Sequence, residues 1–183
     1  MTADRRDATE GPGVPTSTMD ATGSADLTLA GARVHLRRMR AADRDRLRDI
    51  LGEPGVARWW GSPNADAAVD EWLEVDGEVV GSIQYAEENE PEYRHAAIDL
   101  FLTARHQGRG LGPEAIRTLA RYLFEVRGHH RLTIDPAASN DRAIRAYRRV
   151  GFQPVGVMRR YERGPDGTWH DGLLMDLLAE ELT

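Results

Sequence analysis

Six residues, Gln107-Gly108-Arg109-Gly110-Leu111-Gly112, constrain the fold of this chain more than any other stretch. They lie between an apolar run, Ala96–Leu102, and an amphipathic segment, Pro113–Val126. That order reads as strand, glycine-rich loop, helix. Glycines open backbone conformations closed to other residues and let a ligand approach the chain closely. Loop amides followed by a helix N-terminus form an anion site. Pro113 suits the first helical position and Glu114 the first turn. A phosphate-bearing ligand fits such a loop; a tight strand-to-helix connection with no ligand is the plain alternative.

The spacing excludes two familiar phosphate binders. A nucleoside triphosphate P-loop needs lysine and Ser/Thr after its last glycine, and this chain contains no lysine. The dinucleotide fingerprint needs G-x-G-x-x-G with an acidic residue about 20 positions further on. Here the pattern is Q-x-x-G-x-G. Downstream, Asp135-Pro136-Ala137-Ala138-Ser139-Asn140 leads into Arg142-Ala143-Ile144-Arg145-Ala146-Tyr147 and then Gly151-Phe152.

The loop resembles the coenzyme A loop of the GCN5-related N-acetyltransferase (GNAT) superfamily, and the downstream run resembles the later half of the same core. The resemblance spans about residues 33–178 and is most specific over 96–152. Within the superfamily the chain is most similar to the aminoglycoside 6'-N-acetyltransferases. That similarity rests on Arg58-Trp59-Trp60-Gly61, Ala97-Ile98-Asp99-Leu100, Gln107–Gly112 and the D-P-x-x-S-N-x-R-A-I-R-x-Y run. One departure stands out. The segment between Trp60 and Asp76 is short where the subfamily carries a longer helix and part of the substrate wall, which implies a more open or differently shaped pocket.

The chain has 183 residues, 40% of them hydrophobic, enough for one domain with a real core. It has no long apolar span and no secretory leader, so a cytoplasmic protein with no membrane partner is expected. The absence of cysteine excludes disulfides, zinc–thiolate sites and a cysteine acyl intermediate. The formal net charge of −6 argues against nucleic acid and allows a cationic substrate. No group of residues suggests a metal site. The chain is expected to be a monomer or homodimer.

Residues 1–27 are rich in Thr, Ala, Gly, Pro and Asp and read as a disordered extension, with the acetyltransferase domain over 28–183. Arg33–Met39 alternates as a first strand. Asp43 is expected to cap a helix running to about Leu51, and Val56–Trp60 to form a short second helix. Asp76-Gly77 turns a hairpin between Trp72–Val75 and Glu78–Ala86. Arg131–Ile134 is a strand and Asn140–Val150 a helix. Val155–Arg163 and Trp169–Leu177 close a hairpin at Gly164-Pro165-Asp166-Gly167. The fold class is α/β (α+β): a mixed central sheet of about six to seven strands with helices on both faces. The family resemblance adds a splay between the fourth and fifth strands, which admits the cofactor.

Acetyl transfer from a thioester to an amine needs a held cofactor, a deprotonated amine, a stabilised oxyanion and a proton for the leaving thiolate. Backbone amides of Gln107, Gly108, Arg109, Gly110, Leu111 and Gly112 suit the first need. By resemblance, Leu100 and Leu102 pair their backbone with the pantetheine arm, a backbone amide near the splay faces the thioester oxygen, and the cosubstrate is acetyl-CoA. Asp99 is a carboxylate inside Ala-Ala-Ile-Asp-Leu-Phe-Leu, unfavourable if buried alone. It is a surface residue, a structural ion-pair partner, or the group that meets the substrate ammonium and takes its proton. Asp135 is a turn cap or a second carboxylate for a cation. Asn140 is an N-cap, and by resemblance also bonds the pantetheine. Tyr147, seven residues on, is a packed aromatic or, by resemblance, the acid that protonates the thiolate. Trp59 and Trp60 are core residues or line the sugar. Glu87, Glu88, Glu90 and Glu92 form a solvated loop or a negative rim that attracts a cationic substrate, with Glu87 its substrate-binding candidate. His106 flanks the loop without an assigned role.

The expected function is acetylation of a primary amine on a cationic small molecule, above all the 6'-amine of an aminoglycoside, a resistance activity. The alternatives are a siderophore hydroxylysine precursor (with His95 or His170 beside the substrate), a protein N-terminus, or a non-catalytic acyl-CoA-binding module.

Overall fold

The computed structural model describes residues 28–60, 74–75 and 77–183. The expected N-terminal extension, and most of the short segment between Trp60 and Asp76, lie outside the described residues. In chain order the elements are β1 (Thr28–Ala30), β2 (His35–Arg37), α1 (Arg44–Leu51), α2 (Pro54–Trp60), β3 (Glu74–Val75) and β4 (Glu78–Val79). There follow β5 (Gly81–Glu88), β6 (His95–Leu102), α3 (Leu111–Arg121), β7 (Arg131–Ile134), α4 (Asp141–Arg148), β8 (Gln153–Arg163) and β9 (Trp169–Leu178). Strands β1 to β4 form one sheet and β5-β6-β7-β9-β8 a second. The strand expected over Glu78–Ala86 is therefore two segments parted at the fully buried Val80, one in each sheet. The short β1 had no expectation behind it.

The β5–β6 hairpin explains how one strand serves two layers. Ile83 pairs with Leu100 and Tyr85 with Ile98, and all four belong to or pack on the larger core. The intervening pairs, Ser82 with Phe101 and Gln84 with Asp99, face the other way. On the first face Ala115, Ile116 and Leu119 of α3 and Ile144 and Tyr147 of α4 complete the larger core. On the second, Phe101 meets Leu47, Ile50 and Leu51 of α1 and Val56 of α2. Helices therefore cover both faces of a mixed sheet, as expected.

Two local expectations change. Asp43 does not cap α1 with its side chain. A 3-10 turn over Ala41–Asp43 precedes the helix, and the Asp43 carboxylate is taken by Arg37 (2.7 and 3.1 Å) and by the Arg40 amide (2.7 Å). Pro113 is the third residue of α3, since the helix starts at Leu111. Proline is tolerated there because first-turn amides have no partner inside the helix. Beyond Arg121 the helix widens into one π-helical turn, Tyr122–Val126.

The feature that positions the site is the junction of β6 and β7. These parallel strands pair only at Ala96 with Leu132 and Ala97 with Thr133. From Ile98 onward β6 is bonded on its β5 side and diverges from β7, which is the splay the family resemblance implies.

Candidate active site

The glycine loop builds one side of the splay. Gly108 and Gly110 have φ of 77° and 83°, in the left-handed region that favours glycine, and Gly110 caps α3 in that conformation. The amides of Gly108, Arg109 and Gly110 donate to no other group among the described residues. A Cβ would lie 3.4 Å from an Arg142 guanidinium nitrogen at Gly108 and 3.3 Å from Arg33 at Gly110. The loop thus offers open amides with guanidinium groups on both sides. Arg33 is held there by Glu114 (2.8 Å) and by the Arg109 carbonyl (3.0 Å). The Gln107 side chain is a strut. Its amide nitrogen donates to Leu102 O (2.7 Å) and its oxygen accepts from Arg142 (2.8 Å), joining the end of β6 to α4.

A cavity of about 870 Å³ opens beneath this loop. Gln107, Gly108, Gly110, Gly112, Leu100, Leu102 and Asn140 line it, together with Arg33, Arg58, Arg117, Arg142, Arg145 and Arg149. Such a surface fits the phosphates of acetyl-CoA, through amides and guanidinium groups together. Arg109 and the buried Leu111 do not line it; Arg109 contributes its backbone carbonyl to Arg33. Asn140 caps α4 as expected, accepting from Ala143 N at 3.2 Å.

On the other side of the splay lies a cavity of about 530 Å³. Asp99, Asp135, Glu162 and Asp166 bring carboxylates to it, with Tyr161 and His170. Arg58, Trp59, Trp60, Leu100, Ser139, Asn140 and Tyr147 line both cavities, so the two meet at the splay. Trp60 packs edge-on against Phe101 with ring centroids 4.7 Å apart, and Arg58 covers Trp59 at 4.5 Å. The two tryptophans are wall as well as packing.

Asp99 is exposed, not interior. Strand alternation puts it on the Phe101 face, where the cleft opens, so burial does not burden it. One of its oxygens accepts from Leu100 N at 2.9 Å. Tyr147 is buried, with its ring 6.3 Å from that of Phe152. Burial, then the nearby Asp99 and Asp135 carboxylates, push its phenol well above the usual value. It therefore stays protonated at neutral pH.

Glu87 is not brought to the cleft. Its carboxylate is held by Arg127 (2.7 and 3.1 Å) and by the buried His129 (2.7 Å), and lines neither cavity. The Arg127 bond leads in drawing its pKa down. Glu88 accepts from the Glu90 amide at 2.9 Å, so the acidic run partly folds on itself. His95 bonds the Tyr93 carbonyl (2.8 Å) and lines neither cavity, whereas His170 lines the acidic one, paired with Asp166 at 2.9 Å.

Sequence reasoning missed Tyr161, Glu162 and Asp166. The signal was the Gly-Pro-Asp-Gly hairpin tip, read only as a turn. Burial leads in pushing the Glu162 carboxyl up, and the Asp166 bond raises His170 above its usual value. Among the described residues no group of side chains could hold a metal ion.

Residues 36–152 match the profile described as the Acetyltransferase (GNAT) family. Among similar proteins, aminoglycoside N(6')-acetyltransferase type 1 of Klebsiella pneumoniae is 28% identical over 171 residues, spanning 77% of this chain and 82% of that one. Spermidine N(1)-acetyltransferase of Escherichia coli K12 is 31% identical over 86 residues, 47% of this chain and 46% of its own. The solved structure of AAC(6')-Ib with ribostamycin and coenzyme A superposes with a TM-score of 0.66 at 25% identity, covering 81% of this chain and 95% of that one.

Proposed function

This chain belongs to the GNAT acetyltransferase family, whose cosubstrate is acetyl-CoA, and we propose that it acetylates a primary amine of a cationic small molecule, the 6'-amine of an aminoglycoside above all. The observation that carries the reading is the charge division of the cleft. Six arginines against one carboxylate, Asp141, line the cavity under the glycine loop. Four carboxylates, Asp99, Asp135, Glu162 and Asp166, against two arginines, Arg58 and Arg163, line the cavity beyond the splay. A polyanionic cosubstrate and a polycationic acceptor would each enter the half of opposite sign and meet at Tyr147.

Bound acetyl-CoA supplies an acetyl thioester, which exchanges its C–S bond for a C–N bond to the amine. The residues do the rest. Asp99 and Asp135 hold the ammonium, and Asp99 takes the proton that the nitrogen must lose before it attacks. Tyr147, protonated and bordering both cavities, holds the proton that the departing sulfur gains. The exposed Asp99 carboxylate meets the acceptor directly or through one water. Trp59 and Trp60 give the acceptor an apolar wall on which a sugar ring packs.

A linear polyamine is the second reading. The acidic lining selects charge more than ring shape, and the spermidine acetyltransferase similarity favours it. Free-CoA release should be measured with kanamycin, its 6'-hydroxyl analogues and spermidine. Turnover of 6'-amino sugars alone is expected. Equal turnover of the 6'-hydroxyl sugars would remove the regiochemistry, and turnover of spermidine alone would replace the aminoglycoside.

A further inference from the structure

The hairpin that closes the acidic cavity is irregular at one place. Met158 pairs with Gly172 and Glu162 with His170, so residues 159 to 161 face Asp171 alone. Arg160, at the middle of this bulge, has φ of 50°, and no other non-glycine residue among those described has a positive φ. Its amide donates to the Asp171 carboxylate at 2.7 Å, so the opposite strand clamps the bulge. Bulges of this kind re-aim side chains, and left-handed non-glycine residues persist where the surroundings hold them.

The side chain re-aimed here is Tyr161. Its ring lies across Gly172, where a Cβ would come within 2.8 Å of the ring Cδ1 and 3.4 Å of Cγ. Any larger residue at 172 would have to displace it. The ring lines the acidic cavity while the residue remains 49% exposed. The Asp135 carboxylate beside its hydroxyl pushes the phenol up to about 12, and the two residues line the same cavity. An exposed tyrosine with no task would need neither a glycine beneath it nor a clamped bulge behind it.

We propose that Tyr161 is a positioning residue for the acceptor amine: its hydroxyl holds one oxygen of Asp135, so that the remaining lone pairs of that carboxylate face a cation in the cleft. Its ring forms part of the cleft wall, and Gly172 is its seat. This rests on reading the acidic cavity as the acceptor side, and does not depend on the acceptor being an aminoglycoside.

The test is steady-state kinetics with acetyl-CoA against kanamycin and spermidine in turn. Tyr161→Phe keeps the ring and removes the bond. It should raise KM for the amine by about tenfold, leaving kcat and the KM for acetyl-CoA within about twofold. In an Asp135→Asn background the same change should add nothing, because the two residues act through one bond. Gly172→Ala should reproduce the KM rise by displacing the ring; if it does not fold, the Tyr161→Phe pair of measurements stands without it. An unchanged amine KM in Tyr161→Phe, or effects that multiply with Asp135→Asn, overturns the proposal. Turnover of spermidine without kanamycin removes the aminoglycoside and leaves Tyr161 to be judged on spermidine. A wild-type protein that acetylates neither removes both.

Discussion

The two halves of the cleft are built in opposite ways. The arginine-lined half is mostly local: its loop is six consecutive residues, α3 follows directly with Arg117, and α4 with its flanking residues supplies Asn140, Arg142, Arg145 and Arg149, while Arg33 and Arg58 reach in from the N-terminal part of the chain. The acidic half is assembled from distance. Asp99 comes from β6, Asp135 from the end of β7, Tyr161 and Glu162 from β8, and Asp166 and His170 from the hairpin tip and β9. A contiguous half can be carried unchanged from one protein to another, whereas an assembled half changes whenever a hairpin lengthens or shifts register. That difference suits a family with one cosubstrate and many acceptors.

The sharpest way to break the comparison is to damage one half and look for effects in the other. Asp99→Asn should have the largest effect, lowering kcat/KM for the amine by about 10²-fold or more. Acetyl-CoA affinity, read by calorimetry, should be unchanged, and a parallel loss of cofactor binding would mean that the halves are not separate. Gly110→Val comes next. A β-branched residue at φ 83° is strained by about 1–2 kcal/mol. The KM for acetyl-CoA should rise by about tenfold, with the amine KM unmoved. The smallest effect belongs to a residue outside both halves. Glu87→Gln should leave both KM values unchanged and cost about 1 kcal/mol of stability at pH 7.

The pH dependence of that last variant has a definite sign. The Glu87 carboxyl titrates below its usual range because Arg127 and His129 hold its charged form. Its contribution is therefore complete above the ordinary glutamate value, about 4.3, and disappears as pH falls through the lowered folded value. Denaturant melts of wild type and Glu87→Gln should differ at pH 7 and converge in acid. A gap that widened in acid would show that the Arg127 and His129 contacts do not form in solution.

The sequence made the local half legible and the assembled half only partly so. The Q-x-x-G-x-G loop and the Asp135–Tyr147 run each carry their neighbours with them, so their geometry follows from spacing. Asn140 is the clearest case, for its side chain caps α4 as an Asn before a helix should. Asp99 drew notice by its apolar setting. A carboxylate among apolar neighbours is unfavourable if buried, but the fold takes the surface alternative, since the strand's two-residue period turns Asp99 to the open face beside Phe101. Glu87 misled because an acidic run on a strand end carries no sign of its partners, and Arg127 and His129 lie 40 and 42 residues away. Tyr161 was out of reach for another reason. Its aim is set by a two-residue slip between β8 and β9, and register slips are decided by the opposite strand.

The short pairing of β6 with β7 has a further consequence. A strand edge left open at a protein's rim is a template for other chains, and proteins blunt such rims with charge, proline and bulges. The outer strand β8 carries all three: Pro154, a run of Arg159, Arg160, Glu162 and Arg163, and two breaks in register. The open edge of β6 has no proline and no bulge, and its one charge, Asp99, faces the cleft. The cleft meets that edge through Leu100, Phe101 and Leu102, so the strand edge is a surface for a ligand in the cavity.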